Sequence, residues 1–381
     1  MIAAPNAQNA KAATAMSVAL RSAAPAAFFE RDWPVEYHPL PTRISSAPQA
    51  KMISMTCIVL PSMAAQISQK MGFVTCWQRG ESSSDNRRAG GENGRVIRRE
   101  VQRDGQAEYF LIAQHDHALI AGELAEHFGN DHFARPEPRE AALQGVRLHD
   151  CGWPLHDEQP TINKEGKPLD VFETPREIAL RVWTASAEKA SAINPYAGLL
   201  VSLHVLSLSV FASSQTSFAH EKFDLSEPSE KFAVSKFQHR EMERQQNLRT
   251  EVGLRTDKPT HHKHPHEVTQ KKEDQLTFNF RMLQAMDAIS LAACCTKPPS
   301  SESQEVKPQP GAKSIKFAIA RRGGDDVTID PWPFDQAQVE LKIPVCRIAA
   351  KRYENNDELR AIVPCGGSEI LTCVVMPLGA N

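Results

Sequence analysis

A chain of 381 residues with a net charge of −2 and 7% aromatic residues is long enough for about two or three domains and a sizeable core. The near-neutral balance excludes a global electrostatic field that would draw nucleic acid or an anionic membrane surface. Its eight cysteines include no CxxC pair, which argues against a zinc ribbon or a disulfide framework and points to a reducing cytoplasm.

Residues 1–94 show no sustained hydrophobic period. The first 29 contain no acidic residue and only Lys11 and Arg21 as bases. That is a weak likeness to a targeting peptide, without the continuous apolar core such a peptide needs. Residues 52–65 form an apolar island broken by Pro61, and residues 79–95 a polar linker rich in glycine, serine and asparagine. The segment 1–94 reads as a disordered or spurious extension, with the folded part expected to begin near Val96.

Residues 95–296 read as a helical domain. Two β-prone runs, 96–101 and 109–113, flank Asp104-Gly105, a hairpin pattern. A helix is expected over about 116–128, where His117, Ile120, Ala121, Leu124 and Phe128 share one face. A second runs over about 139–149 and is ended by Gly152 and Pro154. The following stretch to Pro175 is a loop of a length that often covers a site. Thr174-Pro175 opens a third helix. Asn194-Pro195 opens a fourth, 196–212, which is apolar nearly all round and so central rather than membrane-spanning.

Residues 228–256 are heavily charged and read as a solvated helix or arm. In a further helix, 274–294, Asp287 falls on the stripe of Leu276, Phe280, Leu283 and Leu291. Residues 297–313 read as a linker. Residues 314–381 read as a small β unit with segments at 314–320, 339–343, 348–352, 359–363 and 370–376, which the 96–113 hairpin is placed to join. The expected fold is mainly α, a helical bundle with a small accessory antiparallel β unit.

Four polar residues in apolar helical patterns carry the chemistry. His117, His149, Asp150 and Asp287 come from three helices. Each alone has an ordinary reading: a hydrogen-bonded core histidine, a polar pair at a helix end, a buried cap. Together, two imidazoles and two carboxylates form a mixed nitrogen and oxygen set suited to a divalent metal ion such as Mn, Fe, Zn or Mg. Three weaker features are also present. His156-Asp157 reads as a solvated turn, His261, His262, His264 and His266 as an exposed polar loop, and Cys151 as a small core residue.

The order His, then His-Asp, then a distant Asp resembles the HD superfamily of helical, metal-dependent phosphohydrolases. Residues 114–118 are similar to its first-ligand helix, 147–153 to its His-Asp helix and 283–291 to its last-ligand helix. More closely, the chain resembles an uncharacterised bacterial family of HD-like domains. The likeness lies in the His-Asp-x-Gly-Trp step, the Leu-Val-Ser-x-His helix and the Leu-Gln-x-x-Asp-x-Ile-Ser-Leu helix, and it extends over about residues 96–378.

The resemblance implies that His117, His149, Asp150 and Asp287 are metal ligands and that Asp150 also orients or deprotonates the attacking water. It implies a catalytic part for His204, which matches a histidine that binds a second ion or contacts phosphate. Trp153 departs from the pattern, standing where such phosphohydrolases often have a lysine; Arg147, Arg176 or Arg181 would then have to meet phosphate charge. The leading reading is metal-dependent hydrolysis of a phosphate ester or anhydride on a small, phosphorylated molecule. A non-haem iron oxygenase on the same scaffold, or a non-catalytic metal-binding or structural protein, is the alternative. No nucleic-acid motif stands out, and the oligomeric state stays open.

Overall fold

The computed structural model describes residues 97–157, 159–213, 226–254, 265–296, 304–321, 324–363 and 367–379. The segment 1–94 and His261, His262 and His264 lie outside the described residues, as does the side chain of His266. In chain order the first elements are β1 (Ile97–Arg103), β2 (Gln106–Ile112), α1 (Gln114–Glu126), α2 (Arg139–Leu148), α3 (Pro154–Asp157), α4 (Arg176–Ile193) and α5 (Pro195–Ser213). Then follow α6 (Pro228–Glu251), α7 (Pro265–Cys294), β3 (Glu305–Val306), β4 (Ile315–Lys316), β5 (Ala318–Arg321), β6 (Val327–Asp330), β7 (Val339–Ala349), α8 (Asn356–Ile362) and β8 (Gly367–Pro377).

β1 and β2 form a two-residue hairpin, with Arg103 opposite Gln106. Such a loop needs positive φ at both central residues, and Asp104 (52°) and Gly105 (78°) supply it. The free edge of β2 takes β7, with Leu111 opposite Cys346. β8 runs antiparallel along β7, and β6 runs parallel to β8. The strands lie in the order β1-β2-β7-β8-β6-β5, and β3 and β4 make a separate pair.

This corrects the expectation of a mainly helical bundle with a small accessory antiparallel β unit. Helix covers 51% and strand 21% of the described residues, and the strands form one large, curled, mixed sheet. The physical reason is that alternation along a strand reports which face is buried, not which strand occupies its edge. Pro344 made one 11-residue strand, β7, look like two, yet it sits in register opposite Ile370. Residues 359–363, expected as a strand, fall mostly in α8, whose first turn is capped by Asn355 accepting from the Glu358 amide at 2.9 Å. The charged stretch 228–256 does contribute to the core: α6 buries Val234, Phe237, Glu241, Gln245 and Leu248 at helical spacing.

The largest core cluster joins α1, α2 and α7 to the sheet through Ile120, Leu124, Val146, Met282, Leu283 and Met286 on the helices and Ile343 and Val345 on β7. A second cluster gathers Trp153 with residues of α4, α5 and α6. α5 is long and apolar enough to cross a membrane by length and composition, but it packs here among α2, α4, α6 and α7, which accounts for its apolar circumference.

The turn after α2 is held against α4 at Gly152, whose amide donates to Ser186 Oγ at 2.9 Å. A Cβ on Gly152 would meet the Val182 carbonyl and lie 2.6 Å from the Ser186 amide nitrogen. Both are backbone atoms and cannot swing aside. Gly152→Ala should therefore destabilise the protein by about 1–3 kcal/mol, read as a lower denaturant midpoint with an unchanged m-value.

Candidate metal centre

α1 delivers His117 because its buried face, Ile120, Ala121 and Leu124, is the face that meets α7. The helix begins without a cap of its own; Asp157 Oδ2 on α3 accepts from the Gln114 amide at 3.2 Å and supplies one from across the fold. His156 and Asp157 are thus buried and not a solvated turn. Burial pushes the Asp157 carboxyl well up, against the hydrogen bonds it accepts from backbone amides.

α2 ends at His149, which turns back on its own helix. His149 Nδ1 lies 2.7 Å from the Val146 carbonyl, which also accepts from the His149 amide at the end of the helix. A carbonyl only accepts, so Nδ1 carries the proton and donates. In a neutral ring, Nε2 then presents its lone pair to the interior.

His117 is set in the same way. Ser290 Oγ lies 2.8 Å from His117 Nδ1 and donates its proton to the Asp287 carbonyl at 2.9 Å. It must therefore accept from Nδ1, so His117 Nε2 also faces inward with a lone pair.

The two Nε2 atoms stand 3.3 Å apart. Asp287 Oδ1 lies 3.0 Å from that of His117 and 3.5 Å from that of His149. Asp150 Oδ2 lies 3.9 and 3.5 Å from the same two atoms. The other Asp150 oxygen, Oδ1, accepts from the Trp153 indole at 3.1 Å, which fixes the direction of the carboxylate. His117 and His149 are fully buried. Four electron-rich atoms facing one point in a dry interior are stable only around a cation or a shared proton. This donor set fits a divalent metal ion.

In the metal-free chain a proton takes that place. Burial opposes charge on His149, but Asp150 and Asp287 overcome it and raise the imidazole to about 9. Burial pushes Asp287 up, yet the imidazoles of His117, His149 and His204 around it hold it well below the usual carboxylate range. Burial raises the Asp150 carboxyl.

His204 on α5 joins from the other side, with Nε2 3.6 Å from Asp287 Oδ2 and its ring 5.3 Å from that of His149. Burial lowers it to about 4, so it is neutral, and its buried Nδ1 has no hydrogen-bond partner. The ligand atoms of His117, His149 and Asp150 lie within 4.8 Å of one another, as do those of His149, His204 and Asp287. All five residues singled out in the sequence therefore meet at one place.

The arginines named for phosphate charge do not meet there. Arg147 pairs with Glu126, Arg176 pairs with Glu177 and Glu230, and Arg181 is exposed. Burial raises the Cys151 thiol to about 11, and its Sγ lies 3.6 Å from the Ser186 carbonyl, so it is a packed thiol. Sequence reasoning missed the roles of Ser290, Trp153 and Asp157. The first two sit three residues after a ligand, Asp287 and Asp150 respectively, and that spacing was the available signal.

A family model described as a protein of unknown function (DUF3891) matches residues 101–350. No curated protein and no solved structure matches the chain.

Elemental analysis of untagged protein should find close to one divalent ion per chain in wild type, and Asp287→Ala should lose it. Ser290→Ala frees His117 Nδ1 and should weaken metal affinity about 10–100-fold. Because the metal displaces the proton held by His149, affinity should rise with pH up to about 9, by about tenfold per unit for one proton released. Titration at several pH values, with a buffer-dependent proton count, reads this directly.

Proposed function

The chain belongs to the DUF3891 family, a family of unknown function, and we propose that it is a metal-dependent hydrolase acting on a phosphate ester or anhydride of a small molecule. The observation that carries this reading is the inward set of two imidazole lone pairs and two carboxylate oxygens, with Asp287 as the member that retains 15% exposure. The order His117, His149-Asp150, Asp287 also resembles the ligand order of the HD superfamily of phosphohydrolases, which favours phosphoryl chemistry over other uses of a metal.

His117, His149, Asp150 and Asp287 would hold the ion. A divalent ion so bound would supply Lewis acidity toward a phosphoryl oxygen and make a coordinated water acidic enough to attack near neutral pH. Asp150 has its two oxygens in different settings. Oδ1 is held by the Trp153 indole, and Oδ2 faces the centre, where it can orient the attacking water and take its proton. His204, neutral and beside Asp287 Oδ2, can donate a hydrogen bond to a phosphoryl oxygen. The described cysteines Cys151, Cys294, Cys295, Cys346 and Cys373 are free and buried, which supports a reducing cytoplasmic setting.

With manganese-loaded enzyme and a panel of p-nitrophenyl phosphate and nucleotides, at least one substrate should release phosphate. Asp150→Asn should lower kcat by about 10²–10⁴, and chelation should abolish turnover. Tightly bound iron with oxygen uptake and no phosphate release would replace this reading with an oxygenase on the same scaffold. Metal-loaded protein inactive in both assays would leave a non-catalytic metal-binding protein.

A further inference from the structure

The inner face of the curled sheet carries three arginines at one end. Residues paired across a ladder share a face, and alternate residues of a strand share it too. Arg99 stands opposite Phe110, a core residue, so Arg99, Val101 and Arg103 of β1 all face inward. Arg321 of β5 stands opposite Val327, also in the core, and faces inward as well. β1 and β5 are the two edges of the sheet. The curl brings both to a single cavity of about 350 Å³, lined by Arg99, Val101, Arg103, Phe110, Arg321 and Leu371 among others. That volume is at the lower end of what small-molecule sites occupy. None of the metal-centre residues lines it.

The three guanidiniums are engaged to different degrees. Arg103 is paired with Glu369 and lies over the Phe110 ring. Arg99, 3% exposed, donates through Nη1 to the Ala293 carbonyl at 2.8 Å and through Nη2 to Asp325. Arg321 donates through Nη2 to the Ala292 and Cys295 carbonyls. Among the described residues it forms no ion pair with a carboxylate, and its Nε is buried without a hydrogen-bond partner. Burial lowers the Arg321 pKa, and the like charge of Arg99 lowers it further. Capping the last carbonyls of α7 accounts for the Nη contacts. It does not account for the cavity or for the unpartnered Nε. Glu100 also borders the cavity, but its place opposite Tyr109 on β2 puts its side chain on the other face of the sheet.

We propose that this cavity binds a small molecule through an oxyanion, a phosphate or carboxylate group, which accepts from the free Nε of Arg321 and lies between Arg321 and Arg99. Such an anion offsets the repulsion between the two guanidiniums and satisfies the orphan donor. A guanidinium suits this task because its fixed fork matches the spacing of phosphate and carboxylate oxygens. Arg103 stands at the rim, and Asp325 holds Arg99 until a ligand competes for it. The site is independent of the hydrolase reading.

The test titrates the full chain by calorimetry with inorganic phosphate and with acetate at fixed ionic strength, before and after chelation of metal. A saturable site is expected, with the tighter probe identifying the group, and its Kd should not change on chelation. Arg321→Gln should weaken binding about tenfold. Asp325→Asn removes the carboxylate that competes for Arg99, and should tighten binding by roughly threefold to tenfold. Where Arg321→Gln does not fold, Asp325→Asn decides, because misfolding cannot raise affinity. No saturable binding of either probe, binding that disappears on chelation, an unchanged Kd in Arg321→Gln, or no gain in Asp325→Asn would overturn the assignment. Each of these outcomes leaves the hydrolase reading untouched, since that reading rests on other residues.

Discussion

Four atoms that would repel one another but for a shared proton or a cation are held in one small volume where α1, α2 and α7 meet. Two imidazole nitrogens and two carboxylate oxygens turn their electron pairs toward a common point, with the closest pair 3.0 Å apart. Water does not relieve the conflict, because the imidazoles are fully buried. The fold maintains it by anchoring each group from behind. The Val146 carbonyl and Ser290 hydroxyl fix the two rings, and the Trp153 indole fixes Asp150. These anchors cannot relax independently, since Val146 and Ser290 belong to helices packed into the main core and Trp153 is buried in the second cluster. The centre is therefore preorganised for a cation, and the packing around it holds the ligands in place without one.

The ligand residues were legible because a polar side chain in an apolar helical stripe is a local pattern. His117 and Asp287 each break such a stripe, and His149-Asp150 sits where Gly152 ends the helix. The anchors were not legible, since a tautomer is set by whichever atom lies behind the ring, and that atom belongs to another turn or another helix. Among the strands, the Asp104-Gly105 turn could be read because positive φ at two successive positions selects its residues. The sheet could not, because β2 finds its partner β7 more than two hundred residues later in the chain. Pro344 and the short apolar run at 359–363 misled for the same reason. A local pattern was read without its neighbour, although Asn355 and the acidic residues Asp357 and Glu358 after it are a helix-start signal.

Charge around the centre is arranged unevenly. The residues that face the metal point bring two carboxylates, and Arg147 and Arg176 are committed to glutamates elsewhere. Positive charge at the centre would thus come from an ion held there, and the Trp153 indole is used to hold Asp150.

The hairpin β1–β2 leads into α1 with only Ala113 between strand and helix. The position of His117 is therefore tied to the sheet, and the sheet is joined to β2 by a strand near the other end of the sequence. During synthesis the helices that carry His117, His149, His204 and Asp287 emerge well before β7 does. Contacts of such long sequence separation form late and slowly. The nascent chain consequently passes through a period in which the ligand-bearing helices exist but α1 lacks the sheet that supports it. The centre that could hold a metal ion is therefore completed only late in folding, after the chain beyond β7 is free to pair.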